Sequence, residues 1–140
     1  MRGLTRADTT RDFFLTDIPL DGYNTDRVEI SRGPNAMLFG LGSPAGIINS
    51  NLIKARLDRN KGQVEFKYGS NDTHRETLDY NHVLIEDKLA VRIAGLTGEE
   101  KYRQNFSFIK DKRGFATATW KPFTNTTIRT HGEWARQDSN

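Results

Sequence analysis

Three histidines, His74, His82 and His131, are the first residues to weigh for chemistry. They stand too far apart for the close paired spacing of a metal-ligating or acid–base motif, and no cysteine is present to supply a thiolate ligand. Asp72, Asp79 and Asp87 are scattered in the same way, so no carboxylate pair presents itself for acid–base work. No serine lies in a nucleophile-elbow context. The run Gly40, Gly42, Gly46 lacks the spacing of a dinucleotide loop and no Gly-Lys-Ser/Thr follows it. The residue types therefore predict no catalytic site, no metal centre and no cofactor. The charged residues Arg27, Glu29 and Arg32 stand on and just after one short strand.

The elements that would position those charges fall into two halves. Residues 1–58 are punctuated by Pro19, Gly22, Gly33, Pro34, Gly40, Gly42, Pro44 and Gly46. They read as loops with a short strand over residues 27–31, a helical turn over residues 36–39 and a second strand over residues 46–53. The glycines and Pro34 read as backbone devices for turns.

Residues 59–140 follow a period of two. Val64, Phe66 and Tyr68 alternate with Gln63, Glu65 and Lys67, a pattern that a strand segregates and a helix does not. Leu78, Tyr80 and Leu84 continue it, then Val91 and Ile93 opposite Arg92, then residues 115–121, then Ile128, Thr130 and Trp134 opposite Arg129, His131 and Glu133. This predicts five antiparallel strands, the clearest of about 9–11 residues, the length that spans a bilayer when tilted. Tight connections at residues 86–88 and 122–125 alternate with longer ones at 70–74 and 98–111. Outer-membrane barrels alternate short periplasmic turns with longer outer loops in that manner.

Composition sets limits without choosing. Apolar residues make up 35% of the 140 and charged residues 28%, which suits a fold where one side of each element meets apolar surroundings. The net charge of +3 is spread along the chain and predicts no nucleic-acid surface. No run approaches the ~18–20 apolar residues of a spanning helix, and the first residues lack the apolar core of a secretory signal. A soluble sheet or sandwich, as in a carbohydrate-binding or adhesin-like module, would show the same alternation, and periodicity alone leaves both open.

Residues 26–40, Asp-Arg-Val-Glu-Ile-Ser-Arg-Gly-Pro-Asn-Ala-Met-Leu-Phe-Gly, closely resemble the signature near the end of the plug domain in TonB-dependent outer-membrane receptors. The likeness continues through Gly42-Ser43-Pro44-Ala45-Gly46-Ile47-Ile48-Asn49 and weakens at Ser50-Asn51-Leu52-Ile53-Lys54. Residues 62–68 and 119–122 resemble early barrel strands of the same family. The resemblance implies a mainly β chain: residues 1–58 the C-terminal part of an α+β plug, residues 59–140 the first strands of a transmembrane barrel of about 22 strands. It implies that Arg32, with Glu29 and Arg27, makes an ionic contact between plug and barrel, and that Val64, Phe66, Tyr68, Val91 and Ile93 face outer-membrane lipid. It further implies a non-enzymatic receptor that takes up a ferric siderophore, a cobalamin or a glycan, driven by the TonB complex through an N-terminal segment outside this chain. A piece of such a receptor would be inactive alone.

Overall fold

A computed structural model describes residues 7–31, 46–70, 73–101 and 107–139. They form two compact units, Met1–Ile53 and Lys54–Asn140. Residues 54–58 thus belong with the second unit.

The first unit holds β1 (Asp8–Arg11), β2 (Phe14–Leu15), a single 3-10 turn (Gly22–Asn24), β3 (Thr25–Ser31) and β4 (Ile47–Leu52). They make a four-stranded sheet in the order β2-β1-β4-β3, with β1 and β4 parallel and the other pairs antiparallel. Central β4 is buried on both faces, and its alternation is part polar: Ile47 and Leu52 are buried, but so are Asn49 and Ser50. Burying those groups is tolerable because each is bonded. Asn49 Oδ1 accepts the Thr10 hydroxyl at 3.0 Å and the Phe13 amide at 2.9 Å, and the Ser50 hydroxyl meets that of Thr25 at 2.8 Å. Gly46, with φ of 107°, leads into β4, and its carbonyl accepts the Asp8 amide at 3.1 Å, starting the parallel ladder.

β1 and β2 were not expected. They are joined by Asp12 and Phe13, whose φ values of 45° and 70° are those of a type I′ hairpin turn. Neither residue favours that region unaided. The turn is held from β4, where Leu52 donates to Asp12 Oδ1 at 3.1 Å and Ser50 accepts the Asp12 amide at 3.0 Å. Asp21 caps the 3-10 turn by accepting the Tyr23 amide at 3.0 Å, and Tyr23 and Asn24 in that turn are buried.

The second unit is a meander of five antiparallel strands in sequence order: β5 (Lys61–Tyr68), β6 (His74–Ile85), β7 (Leu89–Lys101), β8 (Phe108–Phe123) and β9 (Thr126–Ser139). Two tight turns close one end. Glu86–Lys88 has Asp87 at φ 56° and a Lys88 amide to Ile85 carbonyl bond of 3.0 Å, and Thr124 and Asn125 form the other. Each is preceded by a register irregularity, near Val83/Ile85 and Trp120/Phe123.

The strands are longer than the alternation predicts. Residues 98–101 pair with residues 108–111, a stretch expected as loop, and β8 reaches 16 residues. Apolar alternation ends at Leu96 on β7, but ladder hydrogen bonds need only backbone and continue through polar residues. At about 3.3 Å per residue β8 extends roughly 53 Å, well beyond the about 9–11 residues that cross a hydrocarbon core. The helical turn expected at residues 36–39 lies outside the described residues.

Candidate functional site

The register sorts the paired side chains of β5 to β9 onto two faces. On the first face, Val64 stands opposite Leu78, Leu78 opposite Gly95, and Gly114 opposite Trp134. One row towards the tight turns, Gly62, Tyr80, Ile93, Ala116 and Gly132 follow, and a last row holds Leu89, Trp120 and Ile128. Phe66 and Tyr68 extend the set along β5. These side chains are exposed: Val64 at 55%, Phe66 at 60%, Tyr68 at 78% and Ile93 at 47%, while Val91, flanked by His82 and Ala118, is half-buried. Towards the other end the face turns polar, with Glu76, Thr97, Lys112 and Arg136 in one row and Lys110 meeting Glu99 at 3.6 Å.

The second face carries Gln63, Glu65, Lys67, Thr77, Asp79, Asn81, Arg92, Arg113, Thr117 and Thr119, interleaved with Ala90, Ala94, Leu96 and Phe115. Its charges are matched. Arg92 grips Asp79 through two parallel bonds of 2.7 and 2.5 Å, and Arg113 grips Asp111 through Nε at 2.8 Å and Nη2. Arg113, Asn81, Thr117 and Thr119 are buried. Polarity is thus largely inverted relative to a soluble sheet: most large apolar residues lie on the exposed face, and the charge network lies on the other beside buried Leu96 and Phe115. Contiguous exposed apolar surface on this scale marks a surface that another phase or partner covers.

Residues 54–60, which lead into β5, lie along the polar face. Buried Asn81 spends its whole carboxamide on them, accepting the Arg56 amide at 2.8 Å and donating to the carbonyls of Arg56 at 2.9 Å and Arg59 at 2.8 Å. Asn60 accepts the Val83 amide at 2.6 Å, and Arg92 Nη1 donates to the Lys54 carbonyl at 3.2 Å. Asp58 receives a two-pronged contact from Arg56, with bonds of 3.0 and 2.9 Å. Those bonds, before the Coulombic pull of Arg56 and Arg59, hold its carboxyl below the usual carboxylate range.

Arg27 and Glu29 lie on one face of edge strand β3 and pair with each other, Arg27 largely exposed. Arg32, Gly33, Pro34, Gly40 and Gly42 lie outside the described residues. Among the described residues, no three of His, Asp and Glu come together as metal ligands. The Asn81 fastening was not foreseen. Its signal was present, since asparagine is depleted in strand interiors and one placed there asks for a reason.

A four-stranded mixed sheet and a five-stranded antiparallel meander with one exposed apolar face make this a mainly β chain. No protein-family model matches the chain. It is 30% identical over 117 residues to the ferrichrome outer membrane transporter/phage receptor of Escherichia coli, covering 81% of this chain and 15% of that one. It is 34% identical over 95 residues to the metal-pseudopaline receptor CntO of Pseudomonas aeruginosa, covering 68% and 12%. The fold matches the ferripyoverdine receptor of the Pseudomonas aeruginosa outer membrane with a TM-score of 0.81 at 21% identity, over 93% of this chain and 19% of that one. The chain belongs to the TonB-dependent outer-membrane siderophore receptor family and spans under a fifth of the length of these relatives. Members are transporters of the bacterial outer membrane and perform no catalysis.

Proposed function

We propose that the complete receptor takes up a metal chelate of the siderophore class across the outer membrane, energised by the TonB complex. In this reading Met1–Ile53 is the C-terminal part of the plug and the five-stranded meander is the first part of the barrel wall. The inverted polarity of the meander is the observation that carries it: Val64, Phe66, Tyr68, Val91 and Ile93 share one apolar face, and Asp79, Arg92 and Arg113 share the other. Hydrocarbon tails would wet the first, and a plug-filled lumen the second. A soluble module would present the reverse. Arg32, with Glu29 and Arg27, supplies ionic contact between plug and wall in this reading, its guanidinium fork suited to acidic partners on barrel strands.

The relatives named for ferrichrome and metal-pseudopaline both handle metal chelates, which favours that class over cobalamin or a glycan. Uptake is a ligand-shifted conformational equilibrium of the plug, with the energy coming from the partner. The test is accumulation of radioactive iron or another metal from a panel of chelates in cells expressing the complete receptor, with and without a functional TonB complex. Accumulation of at least one chelate that disappears without TonB is expected. Equal accumulation in both strains, or uptake of cobalamin or glycan alone, overturns the proposal.

A further inference from the structure

Residues 54–60 form no strand, yet side chains or backbone of β6 and β7 hold them at Lys54, Arg56, Arg59 and Asn60. Strand pairing does not require this. Asn81 already pairs through its backbone with Lys61 and Arg92, so its buried carboxamide is free to be aliphatic as far as the sheet is concerned. Instead it makes three bonds to the connector. Arg92 is aimed by the Asp79 fork so that Nη1 meets the Lys54 carbonyl. One residue earlier the attachment changes sides: the Ile53 amide donates to the Asn24 carbonyl of the first unit at 3.0 Å. Two sets of fastenings therefore meet at a single peptide bond, Ile53–Lys54, where the two units divide.

We infer that Asn81, seconded by Arg92, is a strain relief: when the first unit is displaced under load, residues 54–60 stay on the wall and tension stops at Lys54. The inference rests on the proposed plug-and-barrel reading and adds where extraction ends. Asn81 is a positioning residue in this scheme. It holds backbone that would otherwise peel away with the plug.

The test applies a single-molecule pull to the N-terminal segment of the complete receptor in a lipid bilayer and reads the contour length released. In the wild type, release ends at Ile53. In Asn81→Ala the seven residues 54–60 come free as well, lengthening the final extension by about 25 Å at about 3.6 Å per residue. Equal final extensions, or a wild type that already releases residues 54–60, overturn the inference. Amide exchange without load supplies a second readout. Asn81→Ala raises exchange at Arg56, and Asn81→Asp, which sets a carboxylate oxygen against the Arg56 and Arg59 carbonyls in place of the Nδ2 donor, raises it as well and serves if the alanine variant does not assemble. If no variant yields its first unit to force, the plug reading fails. The fastening is then judged by exchange alone, and unchanged protection at Arg56 in Asn81→Ala or in Asn81→Asp sinks it.

Discussion

The ring of Tyr80 covers Gly62 on the neighbouring strand, so close that a Cβ built on the glycine would lie 3.1 Å from Tyr80 Cδ2. An aromatic side chain laid over a strand glycine shields backbone that no side chain of its own protects. The pair sits on the apolar face, and the Tyr80 ring also stacks on His82 with centroids 6.0 Å apart. A methyl group at residue 62 asks the half-exposed ring to move a few tenths of an ångström. Gly62→Ala is therefore expected to change stability by less than about 1 kcal/mol, the lost ring contact offsetting the gain in backbone entropy. Gly62→Val, branched directly beneath the ring, is expected to cost about 1–3 kcal/mol. Denaturant titration of the complete receptor in vesicles measures both, and a neutral valine would show that the ring is not held there.

Charge on the apolar face gives a sharper contrast. Val64→Arg or Ile93→Arg is expected to hinder barrel assembly by about 2–4 kcal/mol near the midplane. Lys67→Arg, on the opposite face of the strand that bears Val64, is expected to be silent. Yield of folded receptor in outer-membrane fractions checks this, and equal yields for Val64→Arg and Lys67→Arg would refute the lipid-facing assignment.

The Asp79–Arg92 fork is partly sheltered, with side chains 29% and 21% exposed. Removing one partner strands the other. Asp79→Asn or Arg92→Gln is expected to cost about 1–3 kcal/mol, less than the 3–5 of a fully buried pair because water still reaches this one. The double variant is expected to cost less than the sum of the singles. A double-mutant cycle by denaturant titration decides, and strict additivity would mean that the pair is not coupled.

Asp58 supplies a pH test. Its folded pKa is lowered, chiefly by the hydrogen bonds from Arg56. A depressed carboxylate contributes stability above the unfolded value of about 3.9 and loses it as pH falls through the lower folded value. The pair should therefore be intact at neutral pH and open only in strong acid. Carbon-detected titration of labelled Asp58 should place it below an ordinary aspartate, and Arg56→Gln should bring it back; an unmoved titration would refute the Arg56 contact as the cause.

For Arg32 the expectation is functional. Arg32→Ala should loosen the plug, seen as greater entry of large antibiotics into cells carrying the complete receptor. Unchanged permeability would count against an ionic lock at that residue.

Much of the five-stranded sheet was legible because a difference in surroundings between its two faces imposes a two-residue rhythm, and Val64, Phe66, Tyr68 and Ile93 keep it. The turn at residues 86–88 was legible because Asp and Lys interrupt that rhythm. Where both faces are polar the rhythm vanishes while pairing continues, which is why residues 98–101 looked like loop. The hairpin of β1 and β2 was hidden for another reason. Asp12-Phe13 is not a sequence that makes a type I′ turn by itself, and the bonds from Asn49, Ser50 and Leu52 that enforce it come from about 40 residues away. Asn81 was visible as a polar residue on a polar face, but nothing local tells that its partners are backbone groups of residues 56 and 59.

β4 is the last strand of its sheet to be synthesised and the only one in the described sheet that touches both β1 and β3. Nascent chain ending short of Ile47 has no central member around which the earlier segments can organise. It must travel with Asp12, Phe13 and the exposed Phe14 and Leu15 unsupported. Dependence on a late, distant segment delays such pairing, and the sheet closes only when Asn49 and Ser50 arrive.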